Sequence, residues 1–403
     1  MVIGIDASRA NRQRKTGTEW YSFYLIKNLA AIDHKNKYRL YLDAPASPEL
    51  LEAIKTNSNF SCHYLNWPFY AFWTLGRLSW EMIWRRPDVL FIPAHTLPLF
   101  FPRRTVNTIH DIAFVREQNL YRSQKLKQHI PGSRRVLNGL IKIFTLGKYQ
   151  SNSVDYLYWS TAFALRHARK IITVSHFTKQ EILSLYPKTK ETKIKVVHNG
   201  YNDALYQANV HSEKIADVLI KYGLEQPYFL YVGRLEKKKN TPALIEALAI
   251  LHEDHPEIKI KLVLSGDASF GYDEVKYAIE EFDLEREVMM PGWITEADLP
   301  YLFHGATAFI FPSKHEGFGI PVLQALACGL PTAVSDIPVL REIASDAVLY
   351  FNQNDKRLIA AAMAQIATDG NLRQILKEKG LARAKEFSWK KCATETLSEL
   401  ENW

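Results

Sequence analysis

The sequence predicts an α/β protein made of two successive doubly wound parallel sheets, and three observations carry that expectation. Short β-branched and apolar runs alternate with longer stretches of helical periodicity along the whole chain, the pattern of parallel strands joined by helical crossovers. The pattern restarts after an Asn199-Gly200 turn signal and a stretch of mixed polarity reaching Gln226. The length of 403 residues suits two or three domains at roughly 100–200 residues each. The boundary is therefore set near Tyr201, with one domain over 1–200 and a second beginning at 201.

In the first domain, strands are expected at 2–6, 38–43, 60–65, 89–93, 105–110, 170–175 and 193–198. All are short, as parallel strands usually are. The second domain repeats the pattern at 228–233, 258–265, 288–291, 307–312, 332–335 and 348–351. Ligands of open parallel sheets lie beyond the carboxyl ends of the strands, so the loops after these strands are where chemistry is expected.

Composition narrows the class. With 47% hydrophobic and 23% charged residues, the chain resembles an ordinary folded domain, neither disordered nor fibrous. Three cysteines, Cys62, Cys328 and Cys392, are too few and too scattered for a disulfide framework or a zinc site, which points to a reducing compartment. The first residues read as a buried strand rather than a secretion signal. The longest uncharged apolar stretch, 89–102, contains three prolines and falls short of the roughly 20 residues of a spanning helix. A cytoplasmic protein is expected. The net charge of +8 divides into +17 over 1–200 and −9 over 201–403, so the first domain is expected to face something anionic: a nucleic acid, a phospholipid surface or a phosphorylated acceptor.

The most informative loop is Pro312-Ser313-Lys314-His315-Glu316-Gly317-Phe318-Gly319-Ile320-Pro321, between an expected strand and a helix that Pro321 is expected to begin. Gly317 and Gly319 remove side-chain bulk, which lets backbone N–H groups and the positive end of the helix approach an anion. Glu316 makes a poor phosphate contact but a good acceptor for hydroxyls, and Gln324 early in the helix can reach hydroxyls too. A phosphorylated sugar or ribose fits both features. Gly266 to Gly271 has P-loop spacing, but Tyr272 stands where Lys is required; Gly317-Phe318-Gly319 lacks the third glycine of a dinucleotide fingerprint. A second cluster, Gly233-Arg234-Leu235-Glu236-Lys237-Lys238-Lys239-Asn240, follows the first strand of the second domain and places Arg234 and Lys239 at a strand's carboxyl end.

These two segments, with Ala325-Leu326-Ala327-Cys328-Gly329-Leu330-Pro331, resemble glycosyltransferase family 4, the retaining enzymes of GT-B fold. The likeness covers nearly all of the second domain. In the first it rests on the Gly17 loop, His110-Asp111, Thr173-Val174-Ser175 and Asn199-Gly200. It implies two Rossmann-like domains facing each other across a cleft: an acceptor domain over 1–200, a nucleotide-sugar domain over 201–388, and a helix over 389–403 that crosses back to the first. It implies that Arg234 and Lys239 neutralise the diphosphate of a nucleotide-sugar donor, that Glu316 holds the donor sugar, and that His110 lies beside the transferred hexose. Gly17, Trp293, Ile294, Gly317, Phe318, Gly319 and Gln324 are the remaining donor contacts that it implies.

There are two departures from the family pattern. Gln324 stands where relatives carry a Glu that accepts from both ribose hydroxyls, and an amide offers one acceptor oxygen rather than two. The 7–17 loop has one glycine where relatives often have a pair.

The resemblance further implies retention, with the acceptor hydroxyl attacking on the leaving-group face. The paired carboxylates of glycoside hydrolysis are then not needed. No Asp-x-Asp occurs in the sequence, so neither metal nor cofactor is expected; the nucleotide-diphosphate sugar is a co-substrate. GDP-mannose is the first expectation for the donor, UDP-glucose the second. The aromatic stretch Trp67, Phe69, Tyr70, Phe72, Trp73, Trp80 and Trp84, closed by Arg85-Arg86, and the basic segment 122–148 suggest docking on an anionic inner leaflet and a glycan or lipid-linked glycan acceptor. Competing readings are a nucleotide-sugar-binding partner subunit, a sugar-nucleotide epimerase, and nucleic-acid binding by the basic half, which is not expected.

Overall fold

The computed structural model describes residues 1–68, 72–116 and 153–403. Phe69, Tyr70 and the basic segment 122–148 lie outside the described residues. The chain divides into two compact units, one of Met1–Gly200 with Trp389–Trp403, the other of Tyr201–Ser388.

The first unit holds β1 (Val2–Asp6), β2 (Lys37–Leu42), β3 (Phe60–Tyr64), β4 (Val89–Ile92), β5 (Thr105–Ile109), β6 (Lys170–Thr173) and β7 (Ile194–Val196). They form one parallel sheet in the order β3-β2-β1-β4-β5-β6-β7. Every residue of β4 and β5 is buried; β4 is wholly apolar, whereas β5 buries Thr105, Asn107 and Thr108, with Thr105 and Asn107 donating to the Pro102 and Ala94 carbonyls. The strand order reverses between β1 and β4, the place where such sheets leave a crevice at their carboxyl edge.

The helix Gly17–Ile32 starts with a capping box: Thr16 caps it, and the Glu19 carboxylate accepts from the Thr16 backbone N–H at 3.2 Å. The helix Trp389–Glu401 packs against it, with Trp389 stacked on Tyr24 at 5.5 Å and edge-on to Tyr21 at 6.1 Å. At its far end Asn36 donates to Glu401 at 2.8 Å and Lys170 donates to the Glu399 carbonyl at 2.9 Å.

The second unit holds β8 (Tyr228–Val232), β9 (Lys261–Ser265), β10 (Val288–Gly292), β11 (Ala308–Phe311), β12 (Thr332–Ser335) and β13 (Leu349–Phe351), all parallel, in the order β10-β9-β8-β11-β12-β13. Its switch point lies between β8 and β11. At the carboxyl edge the loops after β8, β9 and β10 lie side by side: Gly233 N–H donates to Ser265 O and Gly266 N–H to Gly292 O, both at 2.9 Å.

Gly266, in the segment with P-loop-like spacing, sits at φ +147. A Cβ on it would stand 2.0 Å from the Gly233 carbonyl oxygen, so glycine is required for close packing of two loops. Gly266→Ala is expected to destabilise the protein by about 3 kcal/mol, through overpacking against backbone and an unfavourable φ, a change urea unfolding will register.

Candidate functional site

The site in the second unit is built from the loops after β8 and β11, the two strands that flank the switch point. After β8 the chain passes Gly233 and makes a 3-10 turn, Lys237–Lys239, which fans three successive lysines toward three different carboxylates. Lys237 meets Glu274 at 2.9 Å, Lys238 meets Glu236 at 3.5 Å, and Lys239 meets Glu316 at 2.6 Å. Asn240 then takes the left-handed conformation, φ +59, at the entry to the helix Thr241–Asp254, and its side chain donates to Gln353 O at 2.8 Å. Asparagine tolerates this backbone better than most residues.

The two loops are tied together: Lys314 N–H donates to the Lys238 carbonyl at 2.9 Å and the Ser313 hydroxyl donates to the same carbonyl at 3.4 Å. Beneath them the buried Tyr231 hydroxyl donates to Arg234 O at 3.1 Å. Burial first, then the Glu316 and Glu236 carboxylates, holds this phenol well above its usual range, so it stays protonated and able to donate.

The site's charges differ in exposure. Lys239 and Glu316 are 14% and 11% exposed at their side chains, and the ammonium also lies 5.5 Å from the centre of the Phe311 ring. Arg234 is 48% exposed, with its Nε 3.9 Å from the Glu236 carboxylate. An ammonium has three N–H donors; one is used on Glu316, which leaves two for an anion. Glu316 likewise keeps a second oxygen for hydroxyls.

Helix Ile320–Ala327 starts one residue earlier than the sequence suggests, with Pro321 second, and this puts Gln324 in its second turn, where it is buried. Gly319 caps the helix at φ +98, where a Cβ would also meet Leu340 at 2.9 Å. Phe318 is buried and turned inward, edge-on to Phe387 at 5.9 Å, so its side chain serves packing. Trp293 and Ile294 follow β10, two strands away from β8, with Ile294 buried.

In the first unit, His110 directly follows β5. A carbonyl only accepts, so the 2.9 Å contact with Pro93 O places the proton on Nε2 and leaves the Nδ1 lone pair available. Tyr21 packs edge-on to its ring at 4.7 Å, which links His110 to helix Gly17–Ile32 and, through Tyr21, to Trp389. Burial, then the neighbouring His95, pushes the imidazole down to about 4. It is therefore neutral at pH 7 and can accept a hydrogen bond from a hydroxyl. Between pH 6.5 and about 4 the unfolded chain takes up a proton here that the folded chain does not. Stability therefore falls as pH falls through that window, by up to about 1.4 kcal/mol per pH unit. His110→Gln is expected to flatten this part of the acid limb in denaturant melts run from pH 7 to 4.

Gly17 opens its helix with nothing within 4 Å of a built Cβ, so packing does not demand glycine there. The helix end already faces a carboxylate, Glu19, whose pKa is lowered: burial raises it, but the Thr16 hydrogen bonds and Arg9 outweigh that.

The family description "Glycosyltransferase Family 4" matches residues 15–205 and "Glycosyl transferases group 1" matches 195–383. The chain is 30% identical over 390 residues, 95% of its own length and 95% of the relative's, to O-antigen chain mannosyltransferase B of Escherichia coli. This protein is a member of glycosyltransferase family 4.

The family 4 enzyme is also 27% identical to mannosyltransferase WbdA of Escherichia coli over 63% of its own chain, a match spanning 31% of WbdA. Its fold is GT-B. WaaG, a glycosyltransferase involved in lipopolysaccharide biosynthesis, superposes with a TM-score of 0.72 at 14% identity, covering 100% of each chain. Anabaena HepE in complex with UDP and glucose gives 0.69 at 18% identity, over 100% of this chain and 99% of that one.

The family 4 chain has one site residue to which the motif reading assigned no role. Glu236 is buried, with its carboxylate 3.9 Å from Arg234 Nε and 3.5 Å from Lys238 Nζ. An acid two residues after a motif arginine was the available signal. Because Glu236 holds Arg234 by charge, Glu236→Gln is expected to lower kcat/KM about tenfold, equivalent to about 1.4 kcal/mol, with the melting temperature little changed. Steady-state kinetics beside thermal melts will check this.

Proposed function

We propose that this glycosyltransferase transfers mannose, with retention, from a nucleotide-diphosphate donor to a glycan or lipid-linked glycan acceptor of a surface polysaccharide. GDP-mannose is the favoured donor and UDP-glucose the second. The observation that carries this reading is the end-to-end likeness to an O-antigen chain mannosyltransferase.

The chemistry rests on charge. Arg234 and Lys239 neutralise the diphosphate as it departs, and one unit charge at about 4 Å in an effective dielectric of 20 contributes on the order of 4 kcal/mol. Glu316, fixed by Lys239, accepts from hydroxyls of the donor hexose. His110 accepts from a sugar hydroxyl through Nδ1. Neither a metal nor a cofactor enters the proposed reaction. The chain works at the inner face of the plasma membrane, against anionic lipid. Among the described residues no helix is long and apolar enough to cross a membrane.

Calorimetric titration with a panel of GDP- and UDP-sugars, followed by NMR assignment of the product anomer, tests the proposal. GDP-mannose is expected to bind most tightly and to give an α-linked product at a rate unchanged by EDTA. Preference for another donor, or inversion, overturns it. A second reading follows from Gln324 in place of the usual acid: a donor-binding partner subunit that does not turn over. Donor binding without transfer or slow hydrolysis would favour that reading.

A further inference from the structure

One surface of the first unit combines features that the sugar chemistry does not use. The six-residue helix Ser79–Trp84 turns Ser79, Glu81 and Met82 inward. It leaves Trp80, Ile83 and Trp84 at 58%, 46% and 70% exposure, on one face by their i, i+3 and i, i+4 spacing. The indoles of Trp80 and Trp84 lie 6.1 Å apart and pack on each other rather than on the core. Other members of the aromatic stretch behave differently: Trp73 packs against the core and donates to Leu65 O at 2.9 Å, and the Trp67 ring fills the space over Gly76.

Beside the exposed indoles lies a cavity of about 670 Å³ lined by Arg39, His63, Glu81, Trp84, Arg85 and Arg86. Glu81 is already engaged by Arg77 at 3.0 Å, so three guanidinium groups face the cavity against no other carboxylate of its lining. The register places Arg39 and Ser61 opposite each other on β2 and β3, with Tyr41 and His63 the next pair on that face. The floor is thus the sheet itself. Arg39 is steadied by donating to the Arg85 carbonyl at 3.3 Å. His63 reports the local field: burial first, then Arg39, and more weakly Arg85 hold it below its ordinary range against the opposing pull of Glu81.

We propose that this face, Trp80, Ile83 and Trp84 with the Arg39, Arg85 and Arg86 cavity beside them, is the surface by which the protein docks on an anionic phospholipid bilayer. The inference rests on the membrane contact proposed above and assigns it a location. Indoles seat at the boundary of headgroup and acyl chain because one edge is polar and the body apolar. Guanidinium groups pair with lipid phosphate in a forked geometry. Three apolar side chains on a helix of six residues are too little for the roughly 1,200–2,000 Å² of a stable protein interface. They suit shallow insertion.

The test is co-sedimentation of the full chain with vesicles of phosphatidylcholine alone or with 3:1 phosphatidylcholine and phosphatidylglycerol. Wild type is expected to bind the anionic vesicles and not the neutral ones. At roughly fivefold per surface arginine, Arg39→Gln/Arg85→Gln/Arg86→Gln is expected to weaken binding on the order of a hundredfold. Trp80→Ser/Trp84→Ser is expected to abolish sedimentation while transfer to a water-soluble acceptor continues at the wild-type rate. Ile220→Ser, which alters an exposed apolar residue of the other unit, is the control and leaves binding unchanged. Thermal melts establish that each variant is folded.

Anionic binding that persists in both multiple variants overturns the location while leaving the membrane reading intact. A wild type that ignores both vesicles overturns the two together and leaves the mannosyltransferase proposal untouched. A shift in oligomeric state or in single-stranded RNA binding, in place of vesicle binding, assigns the face to a second copy or to nucleic acid and likewise overturns the inference.

Discussion

Arg234→Ala is expected to lower kcat by roughly 100- to 1,000-fold, a loss of about 3–4 kcal/mol of transition-state stabilisation, while leaving the fold intact. The second half of that statement comes from exposure. With 48% of its side chain in solvent and a single 3.9 Å contact to Glu236, the guanidinium contributes little to stability, since exposed ion pairs rarely do. The first half follows from timing. In the proposed reaction negative charge grows on the diphosphate as the glycosidic bond breaks, so a cation placed there would stabilise the transition state more than the bound donor. Rates with saturating donor, beside circular dichroism of the variant, check both halves. Turnover within tenfold of wild type would remove Arg234 from the site.

Lys239→Ala is expected to cost a similar factor in turnover and, unlike Arg234→Ala, to lower stability. Its ammonium is 2.6 Å from Glu316 with both side chains largely buried, so truncation strands a carboxylate away from water. Full burial would cost about 3–5 kcal/mol; residual exposure reduces this to about 1–3 kcal/mol. Lys239→Met/Glu316→Gln removes both charges, and it is expected to recover most of the melting temperature while remaining inactive. Thermal melts and initial rates of the single and double variants form the cycle that separates the two roles. A double variant no more stable than Lys239→Ala would mean that a stranded Glu316 carboxylate is not what destabilises the single variant.

Much of the architecture was legible before any coordinates. Each of the thirteen strand windows read from the sequence overlaps a strand, because short β-branched and apolar runs bounded by turn residues are local features of the chain. The doubly wound fold and the family followed from the loops after those strands. Why residue 266 is glycine was not legible: the reason, a carbonyl 2.0 Å from where a Cβ would stand, belongs to a contact between two loops far apart in the chain.

The side chains of the site divide in the same way. Residue types and spacings alone named Arg234, Lys239 and Glu316, since cations and an acid after strand ends are local features of the chain. The partner of each charge depended on folding. The Lys239–Glu316 pair joins residues 77 positions apart, and it exists because strand order brings β8 beside β11. The direction of the Phe318 ring, edge-on to Phe387, was likewise decided by packing across the fold. Trp73 and Trp84 are the same residue type in one aromatic stretch, yet one packs on the core and the other stands in solvent. Composition and periodicity act through neighbours along the chain, so they can specify strands, helices and candidate chemistry; burial and charge pairing depend on neighbours across space, and these came into being only when the sheets assembled.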